Sequence, residues 1–327
     1  MVQRKLWIDL ARGLSMLAIL VHHTEIYYTD LAIIDYRLYV NNALCTFFFI
    51  SGYLCYKKKA FQLKEKLSSI LRTIVLPYFI FMSLIAFPKA IIHGRFDSVG
   101  NVILNIITGR ESWFITALAI SELIFSILIF LSSKRKVILP IGIIITLICV
   151  ILFGNYESIQ THNYWNIIDA FLALSFLYMG YIYHQKEYII QRYCNSLTCF
   201  ILFLLIIISK YIIITHNIFC YLGPVNIDNY PIFFLDNIAF ILLLIVICKL
   251  LPNIKPISWM GSHVIVYYFL CGGVPLILSL CARRIGFAYN GNYFKVFAIL
   301  ISVYLCITLL TWLIYRYVPV ITGRINK

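Results

Sequence analysis

The chain has 327 residues, of which 62% are hydrophobic and only 12% charged, and its formal net charge is +14. Soluble domains are about a quarter charged, so this composition excludes an ordinary soluble protein and predicts a polytopic protein of the lipid bilayer. The excess of Lys and Arg is typical of cytoplasmic loops in such proteins. No nucleic-acid-binding motif accompanies it, so we expect no nucleic acid as a partner.

The cysteines predict neither disulfides nor a metal site. Most of them lie inside apolar runs, among them Cys149, Cys248 and Cys306, without the paired spacing of metal ligands. We interpret them as small apolar packing residues and expect no bound metal.

The first apolar run follows a basic start at Arg4 and Lys5, which raises the question of a cleaved signal peptide. Charged residues interrupt the run and no small-residue cleavage site closes it, so we keep it as the first membrane span. A span needs about 20 mostly apolar residues, and ten segments qualify. In chain order they are 6–28, 38–56, 70–92, 113–132, 137–154, 164–184, 197–215, 233–251, 261–282 and 294–318.

These spans predict an all-α bundle that forms a single transmembrane domain over residues 1–327, with residues 216–232 as its longest late loop. With a cytoplasmic N-terminus, most Lys and Arg outside the spans fall on the cytoplasmic side, which indicates that both termini lie inside. Arg283 and Arg284 are the strongest exception, because this topology puts them on the outer side.

The first span keeps several ionisable residues. Arg12 and His23 are eleven residues apart, three turns plus about 20°, and so lie on one face, about 16 Å apart along the axis. Asp9 precedes Arg12 by three residues and can pair with it. A histidine at this position suits a general base, and an arginine suits an anion such as a phosphate. His22 and Glu25 point to other sides of the helix.

Each of these residues also has a structural interpretation. Arg12 could extend its guanidinium to the cytoplasmic interface, and His23 could be a hydrogen-bonded packing residue. Their combination with Asp9 on one face of a membrane helix favours a site. We therefore predict His23, Arg12 and Asp9 as the catalytic residues.

Arg12 and His23 also match the Arg-x10-His pattern of the first helix in membrane-bound acyltransferase family 3, which the chain resembles in five segments. WIDLARG resembles the family's opening motif, and TFFFISGYL resembles its second helix. RTIVLPYF is similar to the Arg-then-Pro start of its third helix, SWFITAL to its Trp-Phe-Leu segment, and WMGSHVIVYYFL to a late segment. The resemblance covers essentially the whole chain.

The resemblance implies an enzyme that transfers an acyl group, usually acetyl, from cytoplasmic acyl-CoA to a hydroxyl of a cell-surface polysaccharide or its lipid-linked precursor. His23 would be the catalytic histidine and Arg12 its paired basic residue. No cofactor would be bound permanently, since acetyl-CoA would be a co-substrate. The enzyme would cross the inner (cytoplasmic) membrane many times.

The chain departs from the family pattern at several positions. Ser69 stands where the third helix often has the first Arg of Arg-x-x-Arg, so only Arg72 remains. Cys271 stands where the late segment often has His, and Val264 where it has Ser. Leu118 stands where the longer branch of the family has Glu, so the chain looks like the short, stand-alone O-acetyltransferase branch.

Three further residues are predicted to bind substrate. Arg72 could contact CoA phosphates or only set topology, and Trp113 could line the substrate cavity or anchor at the outer interface. Ser51, beside Gly52, fits helix packing better than nucleophilic catalysis. Charged residues in or near spans are candidates for lining a cavity. They are Glu122, Asp169, Lys210 and Asp236.

Two classes of function stay open. The first is acyl transfer, in which His23 deprotonates the acceptor hydroxyl or carries the acyl group itself. The alternative is a glycan transporter or flippase, because buried polar residues in a helical bundle suit that class too. The acceptor, the acyl group and the oligomeric state do not follow from the sequence.

Overall fold

The computed structural model describes residues 5–57, 61–92, 94 and 96–323. A two-stranded antiparallel hairpin, β1 (Cys220–Leu222) and β2 (Val225–Ile227), lies between the helices Ser196–Thr215 and Tyr230–Leu250. The helices are α1, Leu6–Thr29; α2, Tyr36–Cys55; α3, Leu63–Ile70; α4, Leu76–Ile92; α5, Val99–Ile107; α6, Trp113–Ser132; α7, Ile138–Phe153; α8, Glu157–Thr161; α9, Ile167–Gln185; α10, Glu187–Ile190; α11, Ser196–Thr215; α12, Tyr230–Leu250; α13, Lys255–Ser262; α14, Val264–Leu270; α15, Gly273–Arg284; and α16, Tyr293–Tyr317.

The all-α polytopic bundle predicted from composition is confirmed. Within the described ranges, 7 helices are long and apolar enough to cross a membrane, and the bent pair α14 and α15 makes up to 8. The two remaining predicted spans are α1, which its charged and histidine residues make less apolar, and α7, which has 16 residues. Both are helical, and the number of ten spans stays a prediction.

Polar side chains set the start of several helices. The side chains of Asp35, Ser98, Asn195, Asn229 and Asn292 each accept a hydrogen bond from a backbone N–H in the first turn of the following helix. These N–H groups have no partner within the helix, so the caps satisfy them where the chain enters α2, α5, α11, α12 and α16.

Three predicted boundaries differ from the structure, each for a local reason. The third span begins at Leu63 instead of residue 70, and a π-helical segment, Leu71–Val75, joins α3 to α4. Pro77 follows this segment, and a proline ring clashes with the carbonyl four residues earlier, which the wider π turn accommodates. The predicted span 261–282 is broken into α14 and α15, bent by 46°. The predicted loop 216–232 contains the hairpin.

Glycines allow two helix pairs to pack backbone to backbone. A Cβ on Gly52 of α2 would clash with the carbonyl of Leu177 in α9, and a Cβ on Gly180 of α9 would clash with the carbonyl of Phe49. Similarly, a Cβ on Gly261 of α13 would clash with the Asp9 carbonyl of α1. Small residues are the usual means of close packing between membrane helices, and here they place α1 and α2 at the centre.

Arg283, which the predicted topology places on the outer side against the cytoplasmic excess of Lys and Arg, has an acidic partner in the structure. Arg283, at the end of α15, forms an ion pair with Asp30 (Nη1 to Oδ2, 2.6 Å) and donates to the Tyr27 carbonyl (2.7 Å) at the C-terminus of α1. A helix C-terminus favours a cation. We term this end of the bundle the outer end, and the end at Leu6 the cytoplasmic end, following the predicted topology.

We predict that Gly52→Ala lowers the stability of the purified protein strongly, whereas Gly273→Ala, where an added Cβ has nothing within 4 Å, does not. Overpacking a close contact typically costs about 1–3 kcal/mol or more. Thermal unfolding in detergent, followed by size exclusion, measures both variants. Equal stability of the two would contradict the glycine contact.

Candidate functional site

The Arg12–His23 face is intact, because α1 is one uninterrupted helix from Leu6 to Thr29. Arg12 and His23 are both half-buried, and Asp9 is buried under α13, whose Gly261 packs on its carbonyl. The helical spacing therefore holds in three dimensions, and both side chains keep some accessible surface inside a packed bundle.

His23 lies beside the break between α14 and α15. Its ring stacks on that of Tyr27, one turn later (centroids 6.0 Å apart, interplanar angle 15°). A Cβ on Gly272, within the break, would lie 3.9 Å from the Tyr27 hydroxyl. The outer half of α1 and the break between α14 and α15 thus meet beside the imidazole.

Aromatic contacts hold α14 between α4 and α6. Phe81 of α4 stacks on Phe269 (4.6 Å, 7°), and Phe114 of α6 packs against Tyr268 (5.0 Å). Because aromatic pairs add to the burial energy, these contacts fix the broken span next to His23.

Cys271, which occupies the position where the family often has His, is buried at the break. Its thiol donates to the Tyr268 carbonyl at 2.9 Å. This local bond occupies the thiol of Cys271, and His23 stays the predicted base.

His22 and Glu25 have partners away from this face. The His22 ring packs edge-on against Tyr36 (5.1 Å) of α2. Glu25 is fully buried and accepts hydrogen bonds from the backbone N–H of Ile34 (3.0 Å) and from the Tyr293 hydroxyl (2.9 Å). Glu25 therefore anchors the α1–α2 loop and the start of α16.

Ser51 belongs to a buried polar cluster that the sequence did not reveal. Its hydroxyl donates to Glu122 Oε1 of α6 at 2.8 Å, and Lys66 of α3 donates to Oε2 at 2.6 Å. The neighbouring Gly52 makes the close contact with α9. Ser51 and Gly52 therefore join α2 to α6 and α9, in agreement with the packing interpretation.

The other two predicted substrate-binding residues lie in different places. Trp113 is half-buried at the start of α6, and its ring packs so closely on Gly223 that a Cβ there would clash with it. Gly223 lies in the turn of the β-hairpin. Arg72 is exposed in the π-helical segment, and its carbonyl packs against Gly323. These contacts do not involve Arg12 or His23.

The buried charges at the outer end hold helices together. The Lys210 ammonium donates to Asp236 Oδ2 (2.6 Å), Asn42 Oδ1 (2.7 Å) and the Arg37 carbonyl (2.6 Å). Ser209 donates to the other Asp236 oxygen at 2.7 Å. With its three protons used, Lys210 locks α11 to α2 and α12.

Asp169 likewise has a structural role. Its Oδ1 accepts from the Val225 backbone N–H (2.9 Å) and its Oδ2 from Asn163 Nδ2 (2.7 Å). The carboxylate thus attaches the hairpin to α9. The expectation that such buried charges line a cavity overlooked the partners that tertiary packing supplies.

A cavity of about 1330 Å³ opens at the cytoplasmic end on another side of α1. Leu10 lines it, and Arg12 lies two residues later, about 200° round the helix. Glu187, in its wall, accepts from Lys5 (2.5 Å), Lys249 (2.9 Å) and the Tyr53 hydroxyl (2.5 Å). Burial alone would raise the pKa of Glu187, but these donors outweigh it and lower the pKa to about 2.

Among the residues that the structure describes, no group of three or more His, Cys, Asp or Glu side chains is placed to hold a metal ion. The chemistry available on the Arg12–His23 face is that of an imidazole, a guanidinium and the carboxylate of Asp9.

An apolar bundle with a histidine and an arginine on one face of a central helix defines a multi-pass membrane protein with a polar interior. The model of acyltransferase family 3, described as an acyltransferase domain, matches residues 5–316. The chain therefore belongs to acyltransferase family 3 and is a membrane acyltransferase, which confirms the resemblance of its motifs. No curated protein and no solved structure shows a significant match.

We predict that Lys210→Met and Asp236→Asn each destabilise the fold by about 3–5 kcal/mol, because either change leaves a buried charge uncompensated. The double variant should lose less stability than the sum of the losses in the two single variants. Thermal or denaturant unfolding of the four proteins forms a double-mutant cycle that measures this coupling. Additive losses would show that the two charges do not interact.

Proposed function

We propose that this membrane acyltransferase takes an acyl group, most simply acetyl, from acyl-CoA at the cytoplasmic side. It transfers the group to a hydroxyl of a cell-surface polysaccharide or its lipid-linked precursor. The observation that carries the proposal is the single face of α1. It holds Arg12 towards the cytoplasmic end and His23 about 16 Å further out, against the broken span.

Arg12 binds an anionic group of the donor in this proposal. A guanidinium pairs with phosphate oxygens through two parallel hydrogen bonds, and acyl-CoA carries several phosphates. Asp9, one turn before it and buried, orients the guanidinium. Arg72, exposed in the third span, contacts further phosphates near the cytoplasmic surface.

His23 is the general base. Its neutral imidazole accepts the proton of the acceptor hydroxyl while the oxygen attacks the thioester carbonyl. The carbon–sulfur bond breaks, and the proton passes from the imidazolium to the leaving CoA thiolate. A covalent acyl-histidine relay would give the same products and is the second route open to this residue.

The break between α14 and α15 supports this placement. Non-helical backbone at membrane depth is tolerated where it is buried in protein or lines a polar cavity. Here it lies beside Tyr27 and His23. The reaction requires cytoplasmic acyl-CoA and an envelope glycan, so the protein would lie in the inner (cytoplasmic) membrane.

We predict that His23→Gln lowers kcat for acyl transfer by about 10²–10⁴-fold, the usual contribution of a general base. His22→Gln, the matched control on another side of the helix, should keep most activity. The measurement is release of CoA thiol from acetyl-CoA by purified protein with envelope membranes. Full activity of a normally folded His23→Gln protein would refute the mechanism. Glycan movement without CoA release would instead favour a transporter.

We predict that Arg12→Ala raises KM for acyl-CoA by about 10- to 100-fold, the effect of losing hydrogen bonds to a charged group. Arg12→Lys should recover part of this affinity, since a lysine keeps the charge but not the two-pronged geometry. Arg284→Ala, an exposed arginine at the outer end, is the control. An unchanged KM for Arg12→Ala would exclude Arg12 from donor binding.

A further inference from the structure

A second, smaller cavity of about 220 Å³ lies at the outer end of the bundle, where α4 ends and α6 begins, with α5 as its third wall. Its lining is dominated by polar side chains, in contrast to the apolar surface of the spans. These side chains are Lys89, Asp97, Asn101, Asn105, Arg110 and Glu111.

The short helix α5 supplies two amides to this cavity. Asn101 and Asn105 are four residues apart and therefore lie on one side of the helix. Val102 and Ile106, also one turn apart, are buried against the bundle, while Leu104 is exposed. This arrangement fits an amphipathic helix at the membrane surface, which keeps the amide side over the cavity.

The cavity is balanced in charge and partly preorganised. Among the lining residues that the structure describes, two cations match two carboxylates, which does not favour an anion. Arg110 is held by a hydrogen bond to the Thr161 carbonyl (2.7 Å) and lies over the Tyr164 ring (5.0 Å). The Lys89 ammonium is 3.4 Å from Glu111 Oε2, longer than the 2.7–2.9 Å usual for charged pairs, so both keep capacity for a ligand.

The cavity adjoins the surroundings of His23. Lys89 lies in its wall near the end of α4, the helix whose Phe81 stacks on Phe269 of α14. Glu111, also in its wall, lies just before α6, whose Phe114 packs against Tyr268 of α14. Both helices thus contact α14, which ends at the break beside Tyr27 and His23. The cavity lies on the outer side of the imidazole, whereas Arg12 lies on its cytoplasmic side.

We propose that this cavity binds one uncharged sugar ring of the acceptor and presents a hydroxyl of that ring towards His23. The inference rests on the proposed acyl transfer and adds the acceptor site to it. Amide, carboxylate, ammonium and guanidinium groups together donate to and accept from neighbouring hydroxyls of a pyranose. The volume is below the about 300–1,000 Å³ of sites for drug-sized ligands, so a single ring fits.

The test uses the full chain in nanodiscs with acetyl-CoA and a panel of methyl glycosides: glucoside, galactoside, mannoside, N-acetylglucosaminide and glucuronide. Saturation-transfer NMR measures glycoside binding, and CoA thiol release measures turnover. The variant is Asn101→Ala/Asn105→Ala, in which both amides face a solvent-accessible cavity. The matched control is Asn290→Gly, an exposed asparagine of the outer α15–α16 loop with positive φ, which glycine tolerates.

We expect at least one neutral glycoside to bind. The double variant should raise its KM about tenfold, as expected for two lost hydrogen bonds, without changing the KM of acetyl-CoA. The Asn290→Gly protein should behave as the unmodified chain. Unchanged binding and KM in a folded double variant, binding of none of the neutral glycosides, or a preference for the glucuronide would each overturn the assignment.

His23→Gln separates this inference from the proposed function. It should abolish turnover and keep the NMR binding signal. Turnover that needs His23 but is insensitive to the double variant would overturn the sugar site alone. Neutral-glycoside binding that the double variant removes, with no CoA release from any protein, would overturn acyl transfer and leave the sugar site standing.

Discussion

A polar group at membrane depth must find its partner inside the protein, and this constraint organises the whole bundle. Lys210 and Asp236 satisfy it by pairing with each other and with Asn42, and Glu122 satisfies it through Ser51 and Lys66. These groups use their hydrogen-bonding capacity to join helices to one another. They stabilise the fold but have little capacity left for a substrate.

The face of α1 with Arg12 and His23 is organised differently. Both side chains are half-buried in the centre of the bundle and keep accessible surface. Close packing on both sides of this face holds it in place: Gly261 brings α13 onto Asp9, and the α14–α15 break approaches Tyr27. In the proposed function, this rigid helix, with a histidine at one depth and an arginine at another, would bind two substrates that arrive from opposite sides of the membrane.

The proposals on donor and acceptor share this geometry. In these proposals, phosphates of acyl-CoA would meet Arg12 near the cytoplasmic end, and the acceptor sugar would approach His23 through the polar cavity under α5. Such an arrangement would let acyl transfer cross much of the membrane without moving either the CoA moiety or the glycan through it. The aromatic contacts of α14 with Phe81 and Phe114 would then hold the two binding regions in a fixed position relative to each other.

The sequence alone determined the fold class, the approximate positions of the helices and the shared face of Arg12 and His23. These depend on composition and on a helical period, which are local properties. Its motifs also indicated the family that the comparison confirmed. Local pattern further separated His22 and Glu25 from this face, since one or two residues turn a helix by about 100° or 200°.

Only the tertiary structure decided what the remaining polar residues do. From the sequence, Asp169, Lys210 and Asp236 are candidates for lining a cavity. In the structure their partners come from distant parts of the chain: Asp169 accepts a hydrogen bond from the Val225 N–H, and Lys210 donates one to Asn42. The hairpin, the break at Cys271 and the cavity lined by Lys89 and Asn101 depend in the same way on segments that meet only after folding. A helical period records which residues share a face. It does not record which face of another helix will lie opposite.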